Sequence, residues 1–165
     1  MKKYLSFVVV TVMLLAAAPV YAADTSGFAP AESVSIEYLE DGSYYETIIE
    51  DAEDLQPADA IVPFAATKTA TKSKTTKYKN SSGQVLWYVK VTGTFTYGNG
   101  SATCTKATPS AASNSSSWKV SGISGSKSGN KASAKATGTH YIGSGHTEPK
   151  TKTVTLTCSP SGDFS

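Results

Sequence analysis

The chain has 165 residues, with 15 lysines against 13 acids, two histidines and two cysteines, and a formal net charge of +2. So few metal-binding side chains, with neither cysteine in a C-x-x-C pair, argue against a metal centre. The small net charge hides a segregation that speaks to processing and to polyanionic partners rather than to a reaction. Eleven of the acids lie between Asp24 and Asp59, a stretch with no Lys or Arg, whereas thirteen of the lysines lie from Lys68 onward beside only Glu148 and Asp163, a net of +11.

Residues 1–22 read as a secretory signal peptide. Lys2 and Lys3 form a positive start, Leu5 to Ala18 an apolar run too short to span a bilayer comfortably, and Val20-Tyr21-Ala22 places small residues for cleavage after Ala22. No cysteine follows that point closely enough for lipid attachment, and no later apolar run predicts a transmembrane anchor. The expectation is a secreted, extracellular protein.

Residues 23–66 form the acidic leader. Val34 to Ile49 alternates β-branched and aromatic residues around Asp41-Gly42, a pattern that predicts a hairpin with a type I′ turn. Glu50 to Pro63 is acidic, holds Pro57 and Pro63, and reads as a linker.

Residues 67–165 predict a basic β-sandwich domain. Lys68 to Lys79 is a Thr/Lys-rich strand, turned by Ser82-Gly83. Val85 to Tyr97 is the strongest strand, with Val85, Trp87, Val89, Val91, Phe95 and Tyr97 on one face and Leu86, Tyr88, Lys90 and three threonines on the other. Ala102 to Thr108 follows, ended by Pro109. Ser116 to Ser124 turns Trp118 and Val120 inward, Lys131 to Ile142 lines up Ala132, Ala134 and Ala136, and Gly143 to Pro149 reads as a loop. Lys152 to Cys158 closes the series. Six strands with short turns and no helical stripe argue for an all-β, antiparallel sandwich.

Cys104 and Cys158 both fall on inward faces. In an exported chain the pair predicts a disulfide, worth about 4 kcal/mol through the unfolded state; two buried free thiols are the competing expectation. The order Cys104…Trp118…Cys158 gives the sandwich an immunoglobulin-like architecture, although Leu156 stands where a tyrosine corner would place Tyr.

Several stretches carry a resemblance: Tyr38-Leu39-Glu40-Asp41-Gly42-Ser43-Tyr44-Tyr45, Ser81-Ser82-Gly83-Gln84-Val85-Leu86-Trp87, Val91-Thr92-Gly93-Thr94-Phe95-Thr96-Tyr97 and Thr153-Val154-Thr155-Leu156-Thr157-Cys158. Together the chain resembles small exported proteins of gut clostridia and related Firmicutes. The resemblance implies a bacterial, extracellular, single-domain protein and brings no activity with it.

Catalysis is not expected. No G-x-S-x-G elbow is present, Ser144 between Gly143 and Gly145 reads as a hairpin loop, and Glu148 and Asp163 alone make a paired-carboxylate site in the basic domain improbable. No cofactor is implied. The lysines carry the more plausible chemistry. Lys68, Lys72, Lys74, Lys77 and Lys79 crowd one strand, Lys127, Lys131 and Lys135 another, and Lys150 and Lys152 a third. A cationic sheet attracts polyanionic surface polymers or glycans, with Lys acting as a hydrated point charge rather than a selective fork. Export disfavours nucleic acid. Tyr88, beside Lys90, is a candidate platform for stacking on sugar rings unless the hairpin covers it. The same acidic hairpin suggests an alternative, in which it docks on the sandwich and masks the charge of a processed, bacteriocin-like effector.

Overall fold

The computed structural model of the chain describes residues 33–52 and 67–165. The expected signal peptide and most of the expected linker lie outside them. The described residues form eight strands: β1 (Ser33–Tyr38), β2 (Tyr44–Asp51), β3 (Lys68–Lys79), β4 (Val85–Gly98), β5 (Ser101–Ser113), β6 (Trp118–Ser128), β7 (Lys131–Ile142) and β8 (His146–Thr157). They build two antiparallel sheets, β1-β2-β3-β4-β5 and β6-β7-β8, and no helix. Within each sheet, every strand pairs with its neighbour in sequence. Both sheets are meanders, without the Greek-key connections of immunoglobulin domains. What the two share is a pair of antiparallel sheets face to face.

Period-two alternation sets the core. Trp87, Val89, Val91 and Phe95 of β4 are at most 1 % exposed, and across from them lie Ala132, Ala134 and Ala136 of β7 and Val154 and Leu156 of β8. The alanines leave room that the large rings fill. At Gly138 even a Cβ would stand 2.4 Å from Trp87 Cε2, so the indole lies directly on the backbone of β7.

The hairpin is part of this core. β2 pairs with β3 along its length, from Tyr44↔Lys79 to Asp51↔Lys72, and Tyr45 and Ile49 are buried with the sandwich residues. It extends the sheet in its own plane rather than lying over it. Its turn differs from the expected type I′, because only Gly42 (φ 78°) takes a positive φ there. Asp41 serves instead as an acceptor: Ser43 N–H donates to Oδ1 at 3.0 Å.

Two strands run through prolines and further than their sequence suggests, and β6 also passes the expected end at Ser124 to reach Ser128. β5 continues through Pro109 to Ser113, and β8 begins at His146 and includes Pro149. Each is the outermost strand of its sheet, where a missing N–H interrupts no ladder. Pro109 is also a packing residue, since its ring occupies the space above Gly125 of β6. That contact helps close the sandwich between β5 and β6, together with the Cys104 N–H bond to Gly129 O at 2.7 Å and the Lys127 Nζ bond to Thr105 O at 2.6 Å. The tail beyond β8 turns back so that Phe164 meets Phe95 edge-on, 5.5 Å between ring centres.

Candidate functional site: the lysine surfaces

The candidate lysines divide into two groups that the sequence does not separate. Lys72, Lys77 and Lys79 of β3 and Lys150 and Lys152 of β8 meet acids of the hairpin. Lys72 Nζ lies 2.6 Å from Asp51 Oδ1, and Lys79 and Lys77 lie 2.8 and 4.0 Å from Glu46 Oε2. From the opposite sheet, Lys152 donates to Glu37 Oε2 at 2.7 Å and Lys150 stands 3.7 Å from Asp41 Oδ2. Both also sit over aromatic rings, Lys152 at 4.0 Å from the Tyr45 centroid and Lys150 at 5.4 Å from that of Tyr78. Lys74 is on the inward face between Ile49 and Val91 in register, and burial lowers its pKa. Lys68, at the start of β3, is exposed.

Lys131 and Lys135 stand apart. They point from β7 to the outer face of the three-stranded sheet and are exposed. Lys119 of β6 joins them there, in register with Thr139. Four residues of strand place Lys131 and Lys135 about 13 Å apart. Between and beside them the face is built of hydroxyls. Ser133 and Thr155 meet at 2.9 Å, and Thr137 and Thr151 at 2.8 Å. No Asp or Glu shares this face among the described residues, because Glu148, in register with His140, points to the other side. The alternating K-T-K-T-V-T-L-T of β8 already contained the hydroxyl row, and sequence reasoning passed over it in favour of the lysines.

Tyr88 does not belong to this surface. It is half-buried on the outer face of the five-stranded sheet, in register with Lys77 and Ala112, on the opposite side of the sandwich from Lys131 and Lys135. The hairpin leaves it uncovered, since β1 and β2 lie edge-on to β3.

The expected disulfide is replaced by two free, buried thiols. Cys104 sits in β5 opposite Phe95, its Sγ 3.2 Å from Lys106 O; Cys158 follows β8, its Sγ 3.4 Å from Ser159 O. Each sulfur is turned to a carbonyl of its own strand or turn. Burial raises both thiol pKa values.

One end of the sandwich holds an open cleft of about 520 Å³ lined by Tyr78, Trp118, His140, Asn80, Glu148 and Lys150 among others. Its polar groups are largely spent on one another. Tyr78 Oη donates to Ser43, Asn80 is bonded to Ser82 and Gln84, and Asp41 accepts from Ser43. His140 covers a face of Trp118, 4.8 Å between ring centres and nearly parallel. The rings that line the cleft are thus covered, Tyr78 by Lys150 and Trp118 by His140. Among the described residues no cluster of His, Cys, Asp and Glu has metal-binding geometry.

Comparison with protein-family models, with curated proteins and with solved structures finds no match for this chain.

Proposed function

We propose that this chain is an exported, non-catalytic binding module that holds polyanionic surface polymers or glycans on the outer face of β6-β7-β8. The observation that carries the reading is the contrast between the two lysine groups. Lys72, Lys77, Lys79, Lys150 and Lys152 are paired with hairpin acids, whereas Lys119, Lys131 and Lys135 share a hydroxyl-rich face with no Asp or Glu among the described residues. Lysines spaced along a flat strand suit a repeating anionic chain, and neighbouring hydroxyls offer hydrogen bonds to its phosphate, sulfate or carboxylate groups. Association of this kind is steered by charge and weakens with salt. On a sulfated-polymer resin the full chain is expected to bind at low salt and elute as salt rises. Lys131→Glu with Lys135→Glu should abolish retention, while Lys77→Gln with Lys79→Gln should leave it nearly unchanged. Equal loss in both pairs, or no retention of the parent at low salt, refutes this assignment.

The five ion pairs between the hairpin and the lysines of β3 and β8 favour a second reading, in which the acidic segment masks a basic effector until it is removed. Weighing against it, Tyr45 and Ile49 are core residues, 7 % and 2 % exposed, and removing them would open the sandwich. The intact mass of the protein exported by its host separates the two. A chain starting near Ala23 favours the binding module, and one starting near Phe64 to Thr67 favours the effector.

A further inference from the structure

Of the four outermost strands among the described residues, three carry features that block pairing with another strand. β5 contains Pro109, β8 contains Pro149 together with Lys150 and Lys152, and β6 is interrupted between Ser121 and Ser124, where Gly122 takes a φ of 62°. Prolines, lysines and bulges are the usual means by which sheet edges are protected from addition of a further strand. β1 has none of them. Its six residues, Ser33-Val34-Ser35-Ile36-Glu37-Tyr38, pair with β2 in unbroken register and have no partner on the other side among the described residues. Val34, Ile36 and Tyr38 share one face of the strand and are 57, 49 and 74 % exposed.

We propose that β1 is a self-association edge, and that two copies of this chain join through antiparallel β1–β1 pairing about a two-fold axis at Ile36. The strand is complementary to itself in that register. Ile36 meets Ile36 of the second copy, and Val34 meets Tyr38, so that an apolar row runs across the seam. Glu37 falls opposite Ser35 rather than opposite its own counterpart, and it is already neutralised within its own copy by Lys152 at 2.7 Å. No lysine lies on the strand to repel the second copy. The two five-stranded sheets become one continuous sheet, joined by an isologous contact that closes after two copies. A six-residue seam is a small interface, so the dimer is expected to be weak and concentration-dependent.

Sedimentation equilibrium of the exported full-length protein tests this. Reversible dimerisation below about 1 mM is expected. Ile36→Lys places like charges opposite each other at the axis and should leave a monomer. Ile123→Lys, at an exposed apolar position on β6, should leave the dimer intact. A parent protein that stays monomeric to that concentration overturns the proposal, as does a dimer that survives Ile36→Lys. Should Ile36→Lys fail to fold, mild oxidation of Ile36→Cys provides the independent test. The axis places this position against itself, so a covalent dimer is expected, and its absence overturns the pairing.

Discussion

Lys152 of β8 and Glu37 of β1 tie the three-stranded sheet to the far edge of the five-stranded one, with 2.7 Å between Nζ and Oε2 and the ammonium 4.0 Å from the centre of the Tyr45 ring. The two partners are unequal. The Glu37 side chain is 62 % exposed and that of Lys152 only 23 %. An ion pair with one solvated member is worth little, and Glu37→Gln is expected to cost at most about 1 kcal/mol. Lys152→Ala removes the ring contact and the aliphatic stem as well, and about 1–2 kcal/mol is expected. Urea denaturation of both variants checks the order. The Glu37→Gln difference should shrink as salt is added, and equal losses would mean that the carboxylate carries the contact.

Gly138→Ala is expected to be among the more damaging single-methyl changes in the molecule. The added Cβ would lie 2.4 Å from Trp87 Cε2 and 2.6 Å from its Nε1. The ring is not a flexible end that can swing aside, because it is 1 % exposed and packs against Tyr45, Tyr78 and Trp118. Overpacking of this kind costs about 1–3 kcal/mol. Thermal unfolding reads the loss, and a change in tryptophan emission should report the displaced ring. A variant as stable as the parent would mean that β7 shifts freely.

The strand pattern of this chain is legible because its inward residues alternate without interruption. Lys68–Lys79 and Lys131–Ile142 could be bounded from sequence, and the alanine row was identifiable as the counterpart of the tryptophans. The reach of β5 and β8 was obscured by Pro109 and Pro149, which end a strand in a sheet interior but not at an edge. The surfaces were harder to read. Lysines of β3, β7 and β8 look alike in sequence. Only the register of β2 on β3 and the reach of β8 toward β1 decide which of them meet Asp51, Glu46, Glu37 or Asp41. Inward placement of Cys104 and Cys158 was correct, but spacing along a chain says nothing of the direction in which two sulfurs point.

The buried thiols give a direct chemical test. Burial raises the pKa of both Cys104 and Cys158, with the Asp163 carboxylate adding to the effect on Cys158. Little thiolate is then present near pH 8, and access is poor, so iodoacetamide should modify the folded protein slowly. In guanidinium chloride two thiols per chain should react quickly. A count of zero in denaturant, restored to two by a reductant, would mean that the protein carries the disulfide after all.

Stability should fall in alkali, and Tyr45 should account for a distinct part of the fall. Burial, reinforced by the neighbouring Tyr78, Glu37 and Asp41, pushes its phenol from 10.0 up to about 12. Between those values the unfolded chain has released a proton that the folded chain still holds, so rising pH favours unfolding. The contribution is complete below about pH 10 and is lost as pH approaches 12. The raised thiols act in the same sense from their ordinary value of 9.0 upward. Lys74 acts in the opposite sense. Its pKa is lowered by burial, so the folded chain gives up that proton first and rising pH relieves a cost. Urea midpoints measured from about pH 8 to 11 should therefore decline, and Tyr45→Phe should make the decline shallower in its upper part. Parallel curves for the two proteins would show that the Tyr45 phenol ionises in the fold as readily as in the unfolded chain.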